Sequence, residues 1–84
     1  MRAFSPAYSQ EALDALVAAS GSARRHARAV IAQLCRYPDR MGDAQLPQAD
    51  QRDLRIRTDD HLVVSYWVDD AVREVRIVTI EWTG

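Results

Sequence analysis

Apolar residues recur along this chain with two different periods, and the change falls near residue 53. In the first half, Leu13, Leu16 and Val17 are spaced three and four apart, with Glu11 and Asp14 on the other side. That is the spacing of one helix face. Ser5 followed by Pro6 offers a hydroxyl cap and then a proline where the missing N–H costs nothing. Gly21 reads as a stop and Ser22 as the next cap. The pattern predicts a short edge strand over 2–5, a first helix over about 6–19 and a second over about 23–36. Ala27, Val30, Ile31 and Leu34 form the apolar stripe of the second helix. Two helices joined this closely make an antiparallel hairpin.

Residues 37–51, with Pro38, Gly42 and Pro47, read as a surface loop. From Asp53 the period becomes two. Leu54, Ile56 and Thr58 alternate with Arg55 and Arg57, as in a half-buried strand. Asp59-Asp60 is a turn signal, and His61 to Val68 is a second strand rich in β-branched and aromatic residues. Asp69-Asp70 marks another turn. Residues 72–82 are the third strand, nearly continuous in apolar residues from Ile77 to Ile80, as if covered on both faces. The predicted fold class is α+β, in the order β-α-α-β-β-β, with a helical hairpin packed on an antiparallel sheet.

The length of 84 residues holds one domain, here taken as 1–84. A domain this small is only marginally stable alone, so a covering partner chain would be unsurprising. No apolar run reaches the length of a membrane helix. The N-terminal MRAFSPAYSQEALDAL lacks a signal-peptide pattern. Cys35 is the only cysteine, which rules out an internal disulfide and fits a reducing, cytoplasmic setting.

All eleven cationic residues are arginine, and net charge is −1. That total is a poor overall signature for a nucleic-acid binder. The distribution is uneven, however. Residues 1–58 hold nine arginines against six acids, and residues 59–84 hold two against six. A local basic face is therefore compatible with the acidic total.

The order of elements and the local wording resemble the RelE/ParE toxin superfamily of type II toxin–antitoxin systems. The resemblance runs through Phe4-Ser5-Pro6 with Ala12-Leu13, the arginine-bearing second helix, and the loop with Gly42 and Leu46. It continues through Leu54-Arg55-Ile56-Arg57, Val63-Val64-Ser65-Tyr66, Val68-Asp69-Asp70 and Val75 to Ile80. It implies a toxin neutralised by a cognate antitoxin. One branch of the superfamily comprises ribosome-dependent mRNA endonucleases, and another poisons DNA gyrase. Arg55 and Arg57 match the basic positions that the nucleases place on the first meander strand. A further family arginine, early in the next strand, is replaced here by Leu62. The arginine and the tyrosine or histidine expected after the last strand are absent from Glu81-Trp82-Thr83-Gly84. The alternative implied by these departures is a non-catalytic toxin or interaction module on the same fold.

Cleavage of RNA at the 2′-hydroxyl needs a base, an acid and cations for the developing charge. Arg55 and Arg57 are candidates for the cations, His61 for the base, and Glu81 for orienting it or acting itself. The alternative for Arg55 and Arg57 is the solvated face of an amphipathic strand, and for His61 a turn residue. Arg24, Arg28 and Arg36 read as one exposed stripe that contacts RNA or an acidic partner, or is simply solvated. Trp82 is a candidate for base stacking or for an interface, with packing as the alternative. His26 reads as exposed and Cys35 as a small core residue. No metal-ligand spacing or Gly-rich phosphate loop occurs, so no cofactor is expected.

Overall fold

A computed structural model of the chain describes residues 3–38, 44–46 and 54–83. Strand β1 spans Ser5–Tyr8, helix α1 Gln10–Ala18 and helix α2 Gly21–Arg36. Strands β2 (Ala44–Leu46), β3 (Leu54–Thr58), β4 (Leu62–Asp69) and β5 (Glu74–Trp82) follow. They form one sheet in the order β1-β5-β4-β3-β2. The β3-β4-β5 meander is antiparallel as expected, and β1 adds itself parallel to β5. Two features of the predicted loop and helix change. Residues 44–46 pair antiparallel with β3 as a short edge strand. Gly42, Pro47 and Asp53 lie outside the described residues.

The first helix starts later than the Ser5-Pro6 signal implied. Ser5 and Ser9 donate their N–H groups to the carbonyls of Arg73 and Ile77. Pro6, between them in register, turns its missing donor away from the ladder, which is where an edge strand tolerates proline. The cap falls to Ser9, whose Oγ accepts from Ala12 N at 3.0 Å. In the same way Ser20, not Ser22, caps α2, and Gly21 is the first helical residue rather than a stop. With no left-handed glycine to close α1, a side chain covers its last carbonyls. Arg24 donates to the carbonyls of Leu16, Val17 and Ala19 at 3.0, 3.3 and 3.1 Å.

The core lies between the helices and one sheet face. Ala12 and Leu16 of α1 meet Ala27, Val30, Ile31, Leu34 and Cys35 of α2 above Leu62, Val64, Tyr66, Val75, Ile77 and Ile80. The α2 stripe is as the spacing predicted. The α1 stripe is rotated: Leu13 and Val17 remain 41% and 76% exposed, and Ala12 and Ala15 pack inward instead.

A break in register orders β5. Ser65 pairs with Thr79 and Tyr66 with Ile77, so Val78 is an extra residue, a β-bulge. Ser9 holds the bulge from β1. Its N–H reaches Ile77 O at 2.9 Å, and its Oγ donates to Val78 O at 2.6 Å. Beyond the bulge the alternation is inverted. Val75, Ile77, Ile80 and then Trp82 share the helix-bearing face, paired with Val68, Tyr66, Val64 and Leu62. The apolar run at 77–80 therefore reflects a bulge and not a strand covered twice.

The register of β3 also reverses an expectation. Arg55 pairs with Tyr66 and Arg57 with Val64, so the arginines share the helix-bearing face. Ile56 pairs with Ser65 on the opposite, helix-free face and is only half-buried. Two predictions follow from this packing. Ile56→Asp will leave a soluble, cooperatively melting protein, whereas Val64→Asp, which buries a carboxylate in the core, will not fold. Urea melts of the two variants check this. Ser9→Ala will cost about 1–2 kcal/mol in the same assay, because it uncaps α1 and removes the hydroxyl from Val78 O.

Candidate functional site

A cleft of about 400 Å³ opens where the first turn of α2 meets the β3–β4 turn and the end of β5. Ser20, Ser22, Ala23, His26, His61 and Trp82 line it. Asp59 assembles this corner. Its Oδ1 accepts from the amides of His61 and Leu62 at 2.8 and 3.0 Å, closing the turn. Its Oδ2 lies 2.6 Å from Nε2 of His26, across 33 residues of sequence. The His26 and His61 rings meet edge to face, with centroids 5.3 Å apart. Thr83 N donates to His61 O at 2.9 Å and pins the end of β5 to the turn. Trp82, 36% exposed, reaches the cleft because the bulge puts it on the Leu62 face.

Partial burial pushes the Asp59 carboxyl up, but the His61 amide, the His26 ring and the Leu62 amide outweigh it. The net effect holds Asp59 below the ordinary carboxylate range. An ionised carboxylate only accepts, so the His26 nitrogen facing it is the donor. Nδ1 of His26 is then left for other chemistry.

The sequence-predicted residues divide. His61 lies in the cleft, and Arg55 and Arg57 lie on the same sheet face as Asp59, at two-residue steps of roughly 6.6–6.8 Å along the strand. Both arginines are half-buried rather than on a solvated face. Arg55 donates from Nη1 to Pro38 O at 2.6 Å, which ties β3 to the segment after α2. Glu81 does not join His61. It pairs with Val63 on the helix-free face, turned there by the bulge. Its place beside His61 is taken by His26 and Asp59.

The helix arginines do not form one free stripe. Arg24 caps α1 as described above. Arg28 borders a smaller groove of about 270 Å³ with Leu13, Leu16, Val17 and Arg24. It also stands near Tyr8, whose hydroxyl burial pushes up, with the Cys35 thiol adding to the rise and Arg28 opposing it. Arg36 lies over the Tyr37 ring at 5.9 Å. Cys35 is buried, and burial raises its thiol, which makes it a packing residue and not a nucleophile. Among the described residues no group of three acidic, histidine or cysteine side chains is placed to hold a metal. Among the described residues no helix is long and apolar enough to cross a membrane.

The acidic turn signalled part of the site. Nothing in the spacing linked it to His26, which only the packing of α2 brings within reach. The Asp59 shift has a consequence for stability. A carboxyl lowered in the folded state contributes stability above its unfolded value of about 3.9 and loses it as pH falls through the folded value. Asp59→Asn will therefore be less stable than the wild type at pH 5–7, and the gap will close progressively below about pH 4. Thermal melts across this pH range check the sign.

No protein-family model and no curated protein matches the sequence. Solved structures do. The structure of the toxin–antitoxin complex RelBE2 from Mycobacterium tuberculosis contains a chain that aligns with a TM-score of 0.82 at 16% identity. The match covers 98% of this chain and 100% of that one. A chain of the archaeal RelE–RelB complex from Pyrococcus horikoshii aligns with a TM-score of 0.74 at 18% identity, over 99% and 98% of the two chains. Alignment over nearly the whole length at these TM-scores gives the chain the RelE fold, α+β with two helices packed on a mixed sheet.

Proposed function

We propose that this chain is the toxin member of a toxin–antitoxin pair, that a cognate antitoxin neutralises it in the cytoplasm, and that it acts on RNA. The observation that carries the RNA-directed reading is the shared face. Arg55 and Arg57 run along β3 toward a cleft that holds two histidines and an accessible tryptophan. Cations, proton carriers and an aromatic surface are the parts that phosphodiester chemistry on a nucleotide requires. The structural neighbours come from toxin–antitoxin complexes, which supports the antitoxin partner. Ribosome-bound mRNA is the substrate implied by the resemblance.

A second reading has its own observation. Leu62 stands where the resemblance expects an arginine, and its side chain is completely buried. Core packing has replaced a functional cation there. This favours a toxin without RNA cleavage, directed at a protein such as DNA gyrase, or a non-toxic interaction module.

Inducible expression in a bacterial host, with pulse-labelling of protein and DNA synthesis, separates these readings. The expected result is growth arrest with early loss of translation. The Arg55→Ala/Arg57→Ala double variant will relieve the arrest, and its RNA affinity will fall with a shallower salt dependence. Early loss of DNA synthesis would transfer the target to gyrase. Unimpaired growth with soluble, folded protein would leave the interaction module.

A further inference from the structure

We propose that the helix-free face of the sheet is a self-association surface, on which a second copy of this chain packs face to face about a two-fold axis. This does not depend on the RNA-directed reading above.

Among the described residues both helices pack on the opposite face, so no second layer covers this one. Yet it is not the polar face that an antiparallel sheet usually turns to water. Ile56, Val63 and Trp67 stand on it, each half-buried. Beside Trp67, Arg76 lies over the indole at 5.4 Å and is braced by Glu74 at 2.9 Å. Tryptophan and arginine are the side chains that anchor protein interfaces, and this pair is already ordered before any partner arrives.

The register makes the face complementary to itself. In its middle rung Ile56 pairs with Ser65, and Ser65 with Thr79. One step toward the β3–β4 turn, Val63 pairs with Glu81. One step the other way, past the bulge, Trp67 pairs with Arg76. A two-fold axis along the middle rung exchanges the two outer rungs. Val63 of each copy then faces Trp67 of the other, small against large, and Ser65 leaves room between the two indoles. Glu81 of each copy likewise faces Arg76 of the other. Glu81 is exposed and makes no ion pair among the described residues, while the Arg76 side chain is 44% exposed despite its bond to Glu74. A second copy therefore supplies both a cation for Glu81 and a carboxylate for Arg76. Ile56 meets its own counterpart on the axis.

The size of the face sets the strength. Five strands about 4.8 Å apart, each contributing about 20 Å of length, present roughly 480 Å² per copy. Two copies bury about 1,000 Å² in total, at the low end for a specific interface. The dimer is accordingly a weak one, with a dissociation constant on the order of 10–100 µM.

Sedimentation velocity of the purified full chain, from about 5 µM to 1 mM, tests this. The expected result is a monomer–dimer equilibrium within that range. Ile56→Asp, which sets two carboxylates against each other on the axis, is expected to stay monomeric throughout while melting cooperatively. Glu81→Arg and Arg76→Glu each put like charges face to face, and each is expected to weaken the dimer about tenfold or more. An equimolar mixture of these two variants regains both opposite-charge pairs and is expected to dimerise within about threefold of wild type. A change in the fold of either variant alone would not be repaired by mixing. A mixture no more dimeric than its components would overturn the two-fold arrangement. A dimer that survives Ile56→Asp would overturn the choice of face. A wild type that remains monomeric at 1 mM would overturn the proposal and leave this face to a different chain, with the toxin reading untouched.

Discussion

The helix-bearing face of the sheet is continuous because one residue, Val78, is left out of the β4–β5 ladder. Without that bulge, a strand that buries Val75 and Ile77 would next bury Thr79 and Glu81 and turn Ile80 and Trp82 to the other side. The core would lose an isoleucine, and a carboxylate would take the tryptophan's place beside Leu62. The bulge leaves backbone groups to be satisfied, and Ser9 answers for Val78 O with its hydroxyl while its own N–H binds Ile77 O. The same hydroxyl accepts from Ala12 N and starts α1. One serine thus couples the parallel docking of β1, the origin of the first helix and the inversion of β5. This is also why the helix starts at Gln10 and not beside Pro6.

Elements that rest on local periodicity were legible in the sequence. The α2 stripe, the alternation through β3 and the acidic turns are all patterns a few residues wide, and each was found where the spacing placed it. Features set by non-local contacts were not. The Ser5-Pro6 signal is a valid cap by local rules, but pairing with β5 claims those residues for a strand. Strand β2 has three residues among loop punctuation and exists because β3 offers an edge. The inward turn of Arg55 and Arg57 is the most instructive case. Alternation showed that the arginines oppose Ile56, but it cannot say which side faces the helices. Local rules alone place the polar set outward, because arginine is rarely buried. Here the helices lie mainly over β1 and β5, so the β3 end of their face is partly open, and long arginine stems can lie along it with their heads near its margin.

The same geometry explains how much of the candidate site could be read. His61 stands in the sequence as a titratable group beside an acidic turn, and it lines the cleft. Its partner was not Glu81, the nearest carboxylate on the next strand, because the bulge reverses that residue. His26 looked like one polar residue among helical arginines. Its importance comes from the crossing of α2 over the β3–β4 turn, a tertiary fact with no short-range signature.

Arg24 shows how an arginine-rich helix can mislead in the opposite direction. Its three bonds to α1 carbonyls make it a substitute for the missing glycine C-cap. That role ties the first turn of α2 to the end of α1. A guanidinium suits the task because its fork of donors can reach several converging carbonyls at once, which a lysine ammonium does less well. The absence of lysine from the chain therefore need not report a nucleic-acid ligand. At this position it reports backbone carbonyls. The functional face is set by where the fold has already used its arginines as much as by where the sequence carries them.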